Sequence, residues 1–247
     1  MSLTPPIIDG SAWPGALRDS GYGVLSAAGV ARLARADVGE LQPLAACWDR
    51  LPFDGYLRDG GRYRRRRHGC FVVDGERVVP VPRRAHWQSL DYNALHGGIE
   101  RWFDPLDERL LAAPVWPRLL VGLAGVCGVA GGVRRWFVEA HQFRIDTQGG
   151  IGRPTPEGAH RDGVDFVAVL LVARRGVKGG ETRVFDADGP RGVRFTMSEP
   201  WSLLLLDDAR VIHETTPVQP LDAAAEPNVA YRDTLVVTFR SGDFQGP

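Results

Sequence analysis

Ala159-His-Arg-Asp-Gly-Val-Asp-Phe-Val-Ala-Val-Leu-Leu-Val172 decides how this chain is read. Its second half, Phe166 to Val172, is a continuous apolar run, which suits a strand buried on both faces. Its first half is a polar entrance holding His160 and Asp162. Apolar runs recur at Trp201–Leu206 and Thr234–Phe239, and further strand signals lie at Trp136–Ile145, Glu181–Phe185, Val193–Thr196 and Arg210–Glu214. Gly, Pro and Asp clusters separate them. This many short strands with turn chemistry between them predict a β-sandwich or jelly-roll.

Working outward, the N-terminal side reads differently. Gly29–Leu51 places Val30, Leu33, Val38, Leu41, Leu44 and Trp48 at mostly helical steps, with Pro43 dividing or kinking the helix. Phe71–Val73, the Asp74-Gly75 turn and Arg77–Val81 form a hairpin signal. Residues from Ile99 to Leu123 read as helical again, interrupted by Pro105, Pro114 and Pro117. Helices and hairpin in residues 1–134 are therefore expected to support a β core in residues 135–247, as one domain.

The composition excludes several classes. Of 247 residues 44% are hydrophobic, enough for a sizeable core. Thirty basic residues balance thirty acidic ones, which disfavours a dedicated nucleic-acid or anionic-membrane binder. Lys178 is the sole lysine, a compositional bias rather than a functional signal. Cys47, Cys70 and Cys127 form neither a disulfide framework nor a zinc motif, so reduced thiols in a cytoplasm are the default. The N-terminus shows no signal-peptide pattern, and the longest uncharged stretch, Leu119 to Val133, is short for a membrane span. Gly122, Gly125 and Gly128 have the wrong spacing for a dinucleotide loop and read as helix or loop packing. Arg62-Tyr-Arg-Arg-Arg-Arg-His68 reads as a strand with an arginine-rich solvated face, or as arginines reaching a pocket mouth.

The chemistry gathers around His160. In an extended segment residues i and i+2 share a side, so His160 and Asp162 can reach one metal ion. His213 follows 51 residues after Asp162, and a winding β topology can return it beside the pair. Two His and one carboxylate on one face of an octahedral ion leave positions open, the arrangement of non-haem Fe(II) oxygenases. Arg232, opening the last strand, can pair bidentately with a carboxylate, and Thr234 shares its face.

His160-x-Asp162…His213…Arg232-x-Thr234 resembles the Fe(II)/2-oxoglutarate-dependent dioxygenases. His141-Gln-Phe-Arg144-Ile, Pro154-Thr-Pro-Glu-Gly-Ala-His160-Arg-Asp162 and Gly179-Gly-Glu-Thr-Arg-Val-Phe resemble a bacterial branch of that family containing L-isoleucine 4-hydroxylase and related free amino-acid hydroxylases. The resemblance implies a mainly β fold with N-terminal helices, built on a double-stranded β-helix (jelly-roll, cupin-like). It implies Fe(II) on His160, Asp162 and His213, 2-oxoglutarate on Arg232 and Thr234, and O2 as oxidant. The implied reaction hydroxylates a free amino acid or similar small molecule, releasing succinate and CO2. A protein or peptide hydroxylase and a non-catalytic metal-binding jelly-roll are the alternatives. Arg232 follows His213 by 19 residues, more than in many members, which leaves Arg240 as a competing 2-oxoglutarate partner. Alternation in Trp136–Ile145 puts Gln142 and Arg144 on one face and Glu139 and His141 on the other. The resemblance favours Gln142 and Arg144 as substrate-binding residues. Glu157 and Asp165 flank the metal motif as candidate ammonium partners, with Asp165 better suited to capping a turn. Oligomeric state is left open, a homo-oligomer included.

Overall fold

The computed structural model describes residues 3–8, 10, 12–93, 95–222 and 230–246. Helices come first, each with a local cause. Helix α1 (Trp13–Ser20) has Pro14 in its first turn and stops at Gly21, whose φ of 73° is left-handed. Strand β1 (Tyr22–Leu25) follows. Ser26 caps α2 (Ala27–Leu33), and an Asp37–Glu40 capping box starts α3 (Val38–Leu41). Pro43 then sits in a 3-10 turn, Gln42–Trp48. The helical region expected from Ile99 to Leu123 is shifted: helix begins only at α4 (Glu108–Ala112) and resumes as α5 (Val115–Gly131). Pro114 is the N-cap of α5 and Pro117 lies in its first turn, where proline lacks only an N–H that would go unpaired anyway. Among the described residues no helix is long and apolar enough to cross a membrane.

The strands are β2 (Arg64–Asp74), β3 (Arg77–Pro80), β4 (Arg135–Asp146), β5 (Phe166–Arg175), β6 (Val177–Gly179), β7 (Thr182–Asp186), β8 (Gly192–Phe195), β9 (Leu203–Asp207), β10 (Val211–Thr215), β11 (Val218–Pro220) and β12 (Tyr231–Arg240). An antiparallel seven-stranded sheet has the order β1-β9-β5-β12-β4-β2-β3. It takes strands from both sides of residue 134, so the N-terminal half extends the sheet as well as supporting it. A smaller sheet, β10-β7-β8, and a ribbon, β11-β6, complete a mainly β jelly-roll with a few helices. The ribbon occupies part of the long interval between His213 and Arg232; residues 223–229 of that interval lie outside the described residues.

The large sheet is buried on both faces. Ala168, Leu170, Leu205, Leu235 and Val237 pack against the helices through Trp48, Leu119 and Leu123. Val167, Leu171, Leu204 and Leu206 face the small sheet through Val184, Phe195 and Val211. Successive residues of β5 therefore serve two cores, which explains its uninterrupted apolar run. Cys47, Cys70 and Cys127 are free and buried.

Candidate active site

Where the small sheet diverges from the large one, polar residues replace the apolar core. Backbone bonds between His160 and His213, at 3.0 and 2.9 Å, hold the start of the metal motif against β10. His160 Nε2 lies 3.7 Å from Asp162 Oδ1, and His213 Nε2 lies 3.8 Å from Asp162 Oδ2. One ligand atom from each of the three falls within 4.8 Å of the others. The structure thus brings together the triad expected from sequence.

The neighbours prepare these atoms for a cation. His160 Nδ1 is 2.9 Å from the Gly158 carbonyl, to which it donates, leaving the Nε2 lone pair directed at the site. Asp208 accepts from the amides of Asp162, Gly163 and Val164 at 3.0, 2.8 and 3.1 Å, which fixes the loop. Gly163 has a φ of 75°, and a Cβ there would stand 2.4 Å from the Tyr92 ring, so only glycine fits. Gln88 donates to Asp162 Oδ1 at 3.0 Å. Burial and the Asp162 charge push Asp208 up to about 7 despite its three amide donors. Burial, with His160 adding to it, draws His213 down to about 4. For His160, burial works downward but Asp162 and Glu157 outweigh it, so it is raised. Two imidazoles with free lone pairs and crowded carboxylates make a donor set suited to Fe(II).

Arg232 and Thr234 lie on the inward face of β12 and line the same cavity as the triad. Arg232 is buried, and its Nε and Nη2 find no hydrogen-bond partner among the described residues. Burial, then the neighbouring Arg174, lowers it to about 10. A guanidinium left unpaired in the interior is costly unless a ligand carboxylate meets it, and 2-oxoglutarate carries one. Arg240, the competitor, instead donates to the Asp243 carbonyl at the surface.

Gln142 and Arg144 require a correction. They face away from the cavity, which β4 lines with Glu139, His141, Phe143 and Ile145. Gln142 accepts from the Asp107 amide at 2.8 Å and donates to the Cys47 carbonyl at 3.2 Å, tying the helices to the sheet. Arg144 makes two bonds to Asp233, at 2.8 and 2.7 Å, and lies over the Tyr231 ring. Glu157 lines the cavity, whereas Asp165 accepts from the Ser241 amide in a turn.

The sequence reading also missed a group. Arg64, Arg66 and His68 alternate inward along β2, and the segment between β3 and α4 adds His86, Gln88 and Arg101. Of the run Arg62–His68, read as a solvated arginine-rich face or as arginines reaching a pocket mouth, Arg64 and Arg66 line the pocket. Glu139 Oε2 is 2.8 Å from both His68 Nε2 and His86 Nδ1. The basic run was visible; which of its residues turned inward was not.

Comparison with known proteins agrees with this geometry. A family model described as 2OG-Fe dioxygenase matches residues 45–238. A solved structure of a bsmA homologue from Methylobium petroleophilum PM1 is 51% identical, with TM-score 0.92 over 99% of this chain and 98% of that one. IDO from Bacillus thuringiensis shares the fold at 15% identity, with TM-score 0.74 and coverage of 95% and 96%. The Fe(II)/α-ketoglutarate-dependent dioxygenase TqaL does so at 22% identity, with TM-score 0.69 and coverage of 94% and 86%. A search of curated protein sequences finds no match. The chain belongs to the 2OG-Fe dioxygenase family, and is an oxidoreductase that works with Fe(II), 2-oxoglutarate and O2.

Proposed function

We propose that the protein hydroxylates a free amino acid or a similarly small metabolite, with release of succinate and CO2. The observation that carries this reading is the small size of the cavity, about 130 Å³. Gln88 reaches Asp162 from one side, and Gln245, from the C-terminal tail, donates to the carbonyls of Asp162 and Gly163 at 2.8 Å. Both line the cavity. A protein substrate needs a groove continuous with the surface; a small molecule needs a chamber. The lining also carries both signs of charge, Arg66 and Arg101 against Glu139 and Glu157, which suits a zwitterion.

In this reading His160, Asp162 and His213 hold Fe(II), and Arg232 with Thr234 takes the distal carboxylate of 2-oxoglutarate. The metal and cosubstrate, when bound, supply the oxidation of a C–H bond. The chain supplies positioning: Gly158 orients His160, Asp208 fixes the Asp162 loop, and Val164, Val169 and Val236 give the cavity apolar wall. Three buried thiols accord with a reducing compartment such as the cytoplasm.

A succinate-release screen over the common amino acids and over short peptides tests this. At least one amino acid should raise release above the substrate-free level, and His160→Ala or Asp162→Ala should lower it by about two orders of magnitude or more. Stimulation by peptides alone would transfer the assignment to peptide hydroxylation. Failure of 2-oxoglutarate to bind in anaerobic calorimetry would leave a non-catalytic metal-binding jelly-roll.

A further inference from the structure

Away from the metal triad, the cavity wall holds three buried arginines whose guanidinium edges its acids do not fully take up. Arg64, Arg66 and Arg101 are all buried, at 6%, 3% and 2% exposure. Asp54 takes Arg64 Nε at 2.7 Å and stands 3.9 Å from Arg66 Nη1. Glu139 is committed to His68 and His86, and Glu157 lies 3.5 Å from His160. Arg101 has only the Gln88 side-chain oxygen, at 2.8 Å. Arg64 Nη2, Arg66 Nε and Arg101 Nε are buried without a partner among the described residues. Arg66 lies over Phe103 at 3.9 Å and over Phe143 at 4.4 Å. Stacking satisfies the faces of a guanidinium and leaves its edge for an acceptor in plane.

His68, His86, Glu139 and His141 come close enough to suggest a second metal ion. The hydrogen bonding argues against it. Arg66 Nη2 donates to His141 Nδ1 at 2.8 Å. That nitrogen is therefore the acceptor, and the proton sits on Nε2, the atom 3.9 Å from Glu139. A protonated nitrogen cannot ligate, and the neighbouring guanidinium groups repel a cation.

We propose that Arg101, together with Arg66, forms a subsite for a carboxylate of the substrate, separate from the Arg232 position that serves 2-oxoglutarate. This deepens the reading above and rests on it. The role given to Arg144 by sequence resemblance passes to arginines of β2 and of the segment that follows β3. Gln88 sets the placement: one end of its amide accepts from Arg101 while the other donates to Asp162. A carboxylate held at Arg101 is thereby fixed relative to the metal ligands by one side chain.

The test uses the full chain loaded with Mn(II) and saturating 2-oxoglutarate, so that Arg232 is occupied and no turnover occurs. Isoleucine, leucine, valine and 4-methylpentanoate are titrated by calorimetry beside their carboxamides. At least one acid should bind, with its amide weaker by about 30-fold or more. Arg101→Gln should abolish that preference, Arg101→Lys should restore part of it, and 2-oxoglutarate affinity should stay within about two-fold in both, which also reports that the variants are folded. Binding of no acid by the wild type, equal binding of acids and amides, or an unchanged preference in Arg101→Gln overturns the subsite. Arg101-dependent binding without succinate release from any amino acid keeps the subsite and defeats the amino-acid reading. Turnover at unchanged KM in Arg101→Gln does the reverse.

Discussion

Arg232 and Asp233 are neighbours in sequence with opposite surroundings. Arg232 faces the cavity with two nitrogens unpaired, while Asp233, on the helix side, is gripped by Arg144. Burial pushes Asp233 up to about 6, with Arg144 acting against that rise. Removing the guanidinium leaves an acid that is 1% exposed without its charge partner. Arg144→Ala should therefore cost about 3 kcal/mol of stability in urea unfolding, the usual penalty for breaking a buried pair. The KM values for 2-oxoglutarate and substrate should not move, because the residue does not reach the chamber. A raised KM with unchanged stability would return Arg144 to substrate binding.

Two helices meet where a side chain is missing. A Cβ on Gly122 of α5 would stand 2.2 Å from the Leu33 carbonyl of α2, whereas one on Gly125 would meet nothing within 4 Å. Gly122→Ala should destabilise by about 2 kcal/mol through overpacking. Gly125→Ala should be neutral or stabilising by up to about 1 kcal/mol, since alanine is the better helix former. Urea midpoints of the pair separate close packing from intrinsic propensity, and equal effects would refute the close approach. At this scale the sequence was legible wherever burial is apolar: β5, β9 and β12 follow from their runs. It was least legible in β2, whose buried alternate positions Arg64, Arg66 and His68 carry charge and ring nitrogens rather than hydrocarbon. A strand whose inner face lines a polar chamber loses the periodic apolar signal that reveals strands. In β4 the alternation was readable, but apolar residues on both faces (Trp136 and Val138 against Phe143 and Ile145) concealed which one turned inward.

Across the whole molecule, buried imidazoles contribute to how stability responds to acid. Burial is the main cause that draws His86 and His96 from the ordinary 6.5 down to about 4; Arg101 and Arg66 reinforce it at His86 against Glu139, and Arg64 and Arg101 reinforce it at His96. The folded protein holds both neutral where the unfolded chain would protonate them. Their contribution is complete above pH 6.5 and is lost as pH falls toward about 4. Two protons taken up by this pair on unfolding contribute a slope of up to about 2.7 kcal/mol per pH unit, which Asp208 and Asp233 oppose, because their raised values make the folded state hold protons over the same range. In urea unfolding across that range, His96→Gln should change the slope of stability against pH by about one proton relative to the wild type; an unaltered slope would remove His96 from the account. His160 and Asp162 were readable because they obey short-range spacing, whereas His213, 51 residues on, and the arginine cluster depend on which distant segments become neighbours. The alternation of β4 carries one more implication. Glu139, His141 and Phe143 furnish the chamber, while on the other face Gln142 moors the helical layer and Arg144 reaches Asp49 at 3.5 Å. Inserting a single codon ahead of Glu139 would exchange the two sets along the remainder of the strand, emptying the chamber of its chemistry and casting off the helices in one event.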